Sequence, residues 1–234
     1  MLRLMQQTIT VNNTPYPLKI RKNARAKRMV LRLSPCGQEV RLTLPRYVNE
    51  KTGYAFLTQQ QSWLEQQLAE KSDIVAFAPD ITLPLFGDTL TLRHTAQQRG
   101  THLNDTLLQV GGDIAYFPRR VEDWIRKQAK MRFSEEALTL AQTINQQPAS
   151  VSIRSTTSRW GSCSRQRRLN FSWRLAFAPA SVATYVIAHE VAHLQHFDHS
   201  PAFWQCVEAI DPEWKSAKSW LTEHGQTLHR YGSR

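Results

Sequence analysis

Polar and apolar positions alternate, or the apolar ones run in short blocks, at Thr8–Val11, Tyr16–Ile20, Met29–Leu33 and Val40–Leu44. A period of two puts successive side chains on opposite faces, so each block predicts a short β-strand. Ser34-Pro35-Cys36-Gly37 predicts a turn between the last two. From Asn49 to about Glu70 the spacing becomes helical, with Tyr54, Leu57, Leu64 and Leu68 on one face. One helix is expected there, packed on the strands. Strand patterns return at Thr82–Leu85, Thr89–Arg93 and Thr106–Val110, with a turn at Gly87-Asp88, before Gly111-Gly112 interrupts the chain. A domain boundary is expected at that interruption, leaving residues 1–112 as a β-rich N-terminal domain with one helix.

Residues 113–234 read differently. Val121, Trp124, Ile125, Ala129, Phe133, Ala137, Leu140 and Ile144 form one stripe, which predicts an amphipathic helix from about Arg119 to Ile144. A strand follows at Val151–Arg154. Another is expected at Arg168–Leu175, with Leu169, Phe171, Trp173 and Leu175 on one face and Asn170, Ser172 and Arg174 on the other. Then come a helix capped by Ser181, a short helix from Pro201 to about Ile210, and a last one from Glu213 to about His224. The fold class expected is α+β, the β-rich part preceding a small catalytic domain whose key helix packs on a short sheet.

That key helix carries His189-Glu190-Val191-Ala192-His193, an H-E-x-x-H pattern. Residues four apart lie one turn apart, about 6 Å along the axis, so both imidazoles can reach one metal ion. Glu190 sits roughly 100° further round, where it can act on a metal-bound water without being a ligand. Ile187, Val191 and Leu194 make an apolar stripe opposite the histidines. A catalytic zinc needs three protein ligands, an open position and a carboxylate to take the proton.

For the third ligand, His196 continues the helical face but would lie about 10 Å from His189, too far to share one ion comfortably. His199 is better placed, because Ser200-Pro201 opens a new helix and the chain must turn there. Glu208, Asp211 or Glu213 are the acidic alternatives. His199 is the expected ligand, and the ion expected is zinc.

Composition narrows the setting. No apolar run approaches membrane-spanning length, and the first residues lack a hydrophobic signal core. Cys36, Cys163 and Cys206 are odd in number and widely spaced, which suits reduced thiols in the cytoplasm. The formal net charge is +11. One basic cluster runs from Lys19 to Arg32 with no acidic residue, and a second holds Arg165, Arg167 and Arg168. Such surfaces suit phosphates, so nucleic acid is a candidate partner, although on a strand hairpin such a run is more often a solvated, solubilising face. No aromatic residues alternate with these charges in the sequence.

Other residues near the motif carry two readings each. Arg159-Trp160-Gly161-Ser162-Cys163 is expected at a sheet edge beside the metal helix. Its backbone could pair with an extended peptide, or it could be a tight corner with Trp160 in the core. Arg174 suits a substrate oxyanion or carboxylate, or a structural ion pair. Cys163 reads as an inert thiol, with a ligand role the alternative. Phe203 and Trp204 are expected to pack the turn that presents His199.

S-R-W-G-S-C-S (158–164), N-F-S-W-R-L (170–175), H-E-V-A-H-L (189–194) and D-H-S-P-A-F-W (198–204) together resemble the YgjP-like branch of predicted metal-dependent hydrolases. That branch is related to SprT-like proteins and zincin metallopeptidases. R-A-K-R-M-V-L-R-L-S-P-C-G (25–37) resembles the family's opening strands. The resemblance implies His189, His193 and His199 as metal ligands and Glu190 as general base. Asp198 departs from the family's N-H-S; it could hold a ligand's second nitrogen or sit in solvent.

The expected activity is zinc-dependent hydrolysis, in which the ion lowers the pKa of its water from about 16 toward 7 and Glu190 takes the proton. A peptide substrate is favoured, bound beside Arg159, Trp160, Gly161 and Arg174. One alternative is a phosphohydrolase acting on a small anionic substrate such as a nucleoside triphosphate. It would clamp phosphates with Arg154, Arg159, Arg165, Arg167, Arg168 and Arg174. The other alternative is a nucleic-acid-associated SprT-like protease.

Overall fold

Two separate hydrophobic clusters organise the chain, one within residues 1–73 and one within residues 74–234. A computed structural model describes residues 7–34, 37–69 and 74–232. Among the described residues, three small mixed sheets and six α-helices make an α+β fold. No helix among them is long and apolar enough to cross a membrane.

In the first unit, β1 (Gln7–Val11), β2 (Thr14–Asn23), β3 (Val30–Leu33) and β4 (Val40–Pro45) form a sheet in the order β1-β2-β4-β3. Its inner face buries Val11, Leu18, Val40, Leu42 and Leu44, the positions that the period-two pattern selects. Asn12 and Asn13 turn the first hairpin with φ of 49° and 61°, the left-handed pair that two-residue hairpins favour. Pro35 and Cys36 of the expected turn lie outside the described residues, but Gly37 N–H does donate to the Ser34 carbonyl at 2.8 Å. The single helix expected at 49–70 is two, α1 (Glu50–Gln59) and α2 (Gln61–Ala69), with Leu57 and Leu64 both in the core. Neither Gly nor Pro marks the break at Gln60, so hydrophobic spacing alone runs straight through it.

The second unit opens with β5 (Thr82–Leu85), β6 (Asp88–Thr95), β7 (Thr101–Asn104) and β8 (Leu107–Gly111). Their order, β5-β6-β8-β7, repeats the first sheet's topology, antiparallel hairpins flanking one parallel pair. No sequence repeat betrays this. The edge strand β7 has no hydrophobic alternation, since His102, Leu103 and Asn104 are all exposed, and the pattern therefore misses it. Gly111-Gly112 is a turn inside this unit, with Gly112 at φ 85° and the Arg120 guanidinium donating to the Gly111 carbonyl. Leu108 and Val110 before it share a core with Phe117 and Val121 after it.

Helix α3 (Phe117–Thr143) buries Phe117, Val121, Ile125, Ala129, Phe133, Ala137 and Ala141, a stripe at four-residue spacing. Strands β9 (Ser150–Arg154), β10 (Gly161–Cys163) and β11 (Arg168–Ser172) form the third sheet in the order β10-β11-β9, so β10 is an edge. The strand expected at 168–175 stops at Ser172. Trp173–Phe177 is a 3-10 turn in which every residue is buried, and side chains enclosed on all sides have no solvent face to alternate with. Helices α4 (Ala180–Ala192), α5 (Pro201–Ile210) and α6 (Trp214–His224) complete the unit. Helix α4 begins one residue before Ser181, at a Pro179 N-cap with no side-chain cap bond.

Phe133 is 1 % exposed and its ring meets Phe86 and Phe171 edge to face. Phe133→Ala should therefore cost about 3–5 kcal/mol in urea unfolding. A loss below about 1 kcal/mol would mean this core is loosely packed.

Candidate metal and catalytic site

Helix α4 is buried almost all round, and its last turn carries the half-buried His189 next to the buried Glu190. His193 is its C-cap, and His199 immediately precedes the Ser200 N-cap of α5. The eight residues between the two helices fold back. His199 Nε2 comes to 3.2 Å from His189 Nε2, and candidate ligand atoms of His189, His193 and His199 all lie within 4.8 Å of one another. Two imidazoles bound tetrahedrally to one ion at about 2.0–2.1 Å put their nitrogens roughly 3.3 Å apart. The donor set and the spacing both fit a divalent ion.

Three further features prepare these rings. His193 Nδ1 lies 2.7 Å from the His196 carbonyl, which as acceptor fixes the tautomer and leaves Nε2 free to ligate. His196 therefore serves through its backbone, not its ring. Phe203, fully buried, lies under all three imidazoles, stacked on His193 at 4.5 Å and edge-on to His189 and His199. Burial first, then the neighbouring histidines and Lys218, pushes His189 down to about 3, so its ring is neutral and its lone pair available. Its Nδ1 is buried and unpartnered among the described residues.

Glu190 is 6 % exposed. A Cβ added at Gly161 would fall 2.5 Å from Glu190 Cγ and 2.6 Å from its Oε1, so only glycine lets β10 approach this closely. The Cys163 backbone N–H hydrogen-bonds the carboxylate, and Arg159 acts on it by charge. Burial outweighs both and pushes Glu190 up to about 8. In the metal-free chain the pocket therefore holds this carboxyl mostly protonated at neutral pH.

The other sequence candidates fall as follows. Arg159 is exposed beside Glu190. Trp160 is half-buried and stacks on His229 at 4.8 Å, while its carbonyl accepts from Ser172 N–H. Arg174 is buried, donating from Nε to the Tyr231 carbonyl and from Nη1 to Ser155 Oγ, with its guanidinium 4.6 Å from the Trp173 ring. The first of these contacts ties it to the C-terminal segment. Cys163 stands outside the histidine cluster, and burial, then Glu190, pushes its thiol up to about 11, the inert state expected of it. Glu208, Asp211 and Glu213 are also outside the cluster. Asp198 is exposed and accepts from Ser200 N–H at 3.3 Å, so it shapes the turn.

Sequence reasoning passed over Tyr185, whose ring lies 6.0 Å from His189. It precedes His189 by one helical turn, and that spacing was the available signal. The hold of the His196 carbonyl on His193 had none, because it depends on how the chain leaves the helix.

The family model for the YgjP-like, metallopeptidase domain matches residues 7–224. Among solved structures the chain is similar to the metallopeptidase zymogen of Pyrococcus abyssi abylysin. That similarity is 22 % identity over 43 % of this chain and 99 % of the other, with a TM-score of 0.36. No curated protein matches it.

Two outcomes are expected. Gly161→Ala should displace the Glu190 side chain, costing about 1–3 kcal/mol while leaving metal stoichiometry unchanged by mass spectrometry. Metal-free Glu190→Gln should be more stable than metal-free wild type, by a margin that grows as pH rises from 4.5 to about 8. The sign follows from linkage: across that window the unfolded chain has released the Glu190 proton and the folded chain keeps it, so wild type loses stability as pH rises. Parallel thermal melts from pH 4 to 9 check it; a constant margin contradicts it.

Proposed function

The chain belongs to the YgjP-like metallopeptidase family, and from that premise we propose that it is a zinc-dependent peptidase. In this reading the second unit is a zincin-like catalytic domain, His189, His193 and His199 hold the ion, and Glu190 moves the proton. One observation carries it: the three imidazoles converge within 4.8 Å beside a buried carboxylate that is not part of their cluster.

When bound, zinc supplies Lewis acidity that polarises a carbonyl and makes a water acidic. The chain's own groups do the rest. Glu190 accepts a proton from the attacking water and returns it to the leaving amine. The Cys163 N–H and the charge of Arg159 favour its ionised form, which accepts the proton, and a cation bound beside it would favour that form further. Arg159, exposed at the same corner, favours the ionised form and offers a cation to a substrate carbonyl or carboxylate. The unpaired side of β10 is where an extended peptide would add as a further strand.

A triphosphate clamp has less support. Arg154, Arg167 and Arg174 are already bonded to Asn170, Gln146 and Ser155 respectively. The substrate class proposed is an extended peptide, the compartment cytoplasmic.

The test incubates metal-loaded wild type and Glu190→Gln with a mixed peptide library and the common nucleoside triphosphates, reading all products by mass spectrometry. Peptide cleavage is expected from wild type, falling at least about 100-fold in Glu190→Gln with metal retained. His189→Ala and His193→Ala should lose metal and activity together. Triphosphate loss with intact peptides would overturn the peptidase reading.

A further inference from the structure

We infer that the outward face of the first unit's sheet, with the loop at its end, binds single-stranded nucleic acid. This inference is independent of the peptidase reading and concerns a surface of residues 1–73 alone.

Charge is unevenly divided between the units. Residues 1–73 hold twelve basic and five acidic side chains, net +7 of the chain's +11, in under a third of its length. Between positions 19 and 46 there are nine basic residues and one acidic residue, Glu39. The fold gathers them. Leu18 and Ile20 of β2, Leu42 of β4 and Leu31 of β3 face the unit's core, so the residues alternating with them face outward. Register then places Lys19 beside Arg41 and Arg41 beside Arg32, three cations in one row across three strands. Strands lie about 4.8 Å apart, so the row is only about 10 Å wide.

Like charges directly opposite across strands are destabilising. Glu39 relieves part of this, lying 2.5 Å from both Lys19 Nζ and Arg41 Nε. Among the described residues no carboxylate pairs with Arg32 or with Arg21, which is exposed one alternation further along β2. A merely solubilising surface gains nothing from opposing its cations. A polyanion would relieve them by supplying the missing counter-charge.

The second observation is aromatic. Cations and aromatics do not alternate along the sequence, but the fold brings them together. Tyr47 is 79 % exposed, the most exposed of the large hydrophobic side chains described. Its hydroxyl donates to the Lys27 carbonyl at 3.0 Å, which draws the β2–β3 loop, with exposed Arg25, Lys27 and Arg28, alongside Tyr47 and exposed Arg46. An exposed ring anchored by its own hydroxyl among cations is a platform on which an unpaired base can stack. A duplex hides its base faces, so the ring favours a single strand.

The test measures fluorescence anisotropy of a labelled oligo-dT of about 20 nucleotides with the full chain, at salt from about 50 to 300 mM. Binding should weaken steeply with salt, with a log–log slope of roughly −2 to −4. Arg21→Glu/Arg32→Glu should raise Kd at least about 10-fold and flatten the slope. Tyr47→Ala should weaken oligo-dT about 5- to 50-fold and leave polyphosphate binding unchanged, because only a base can stack. Thermal melts establish that each variant folds; should one fail to fold, the wild-type salt titration still decides. No binding of oligo-dT by wild type at the lowest salt overturns the inference. So does poly-glutamate competing as well as oligo-dT with no effect of Tyr47→Ala, which would assign the face to an acidic polypeptide.

Discussion

The site depends on burying one carboxylate against one glycine. Glu190 leaves α4 into a space almost closed to solvent, and β10 can close over it only because residue 161 has no Cβ. A buried carboxylate is costly unless something answers its charge. Here the answer is a single backbone N–H from Cys163 and the nearby charge of Arg159, which leave Glu190 protonated up to about pH 8 in the metal-free chain. A bound cation beside it would shift that balance toward the ionised form. Sheet edge, helix end and glycine therefore form one device, with β10 paired to β11 of the third sheet.

The histidines are organised by a different constraint, the way the chain leaves α4. A straight continuation of the helix would carry His196 away from His189. The chain instead stops at His193, returns the His196 carbonyl to the His193 ring, and restarts α5 at Ser200-Pro201 with His199 turned inward. Phe203 beneath and Trp204 beside the rings are packed by α5, with Trp204 in turn stacked on Trp214 of α6. The last two helices thus buttress His199.

Much of this was legible in the sequence, and unevenly so. The H-E-x-x-H spacing, the Ser-Pro restart and the edge position of residues 159–163 follow from local chemistry, and the structure brings His189, His193 and His199 together as that spacing implies. Elements buried on one face, such as α3 and the first four strands, were readable from their periods. What escaped has physical reasons. Trp173–Phe177 is enclosed on every side and β7 is exposed on nearly every side, so neither carries a period. The first compact unit ends at residue 73, not at the conspicuous Gly111-Gly112, because a glycine pair marks a turn and says nothing about which core its flanks enter. Close approaches between distant segments, Gly161 on Glu190 above all, leave no trace in spacing.

The central claim, that three imidazoles and no thiolate or carboxylate hold the metal, is tested most directly by X-ray absorption spectroscopy of the metal-loaded protein. The account predicts three imidazole nitrogens at about 2.0–2.1 Å, one further light scatterer, and no sulfur. A sulfur shell at about 2.3 Å would bring Cys163 into the site, and an all-oxygen shell would remove the histidines from it; either result would contradict the account.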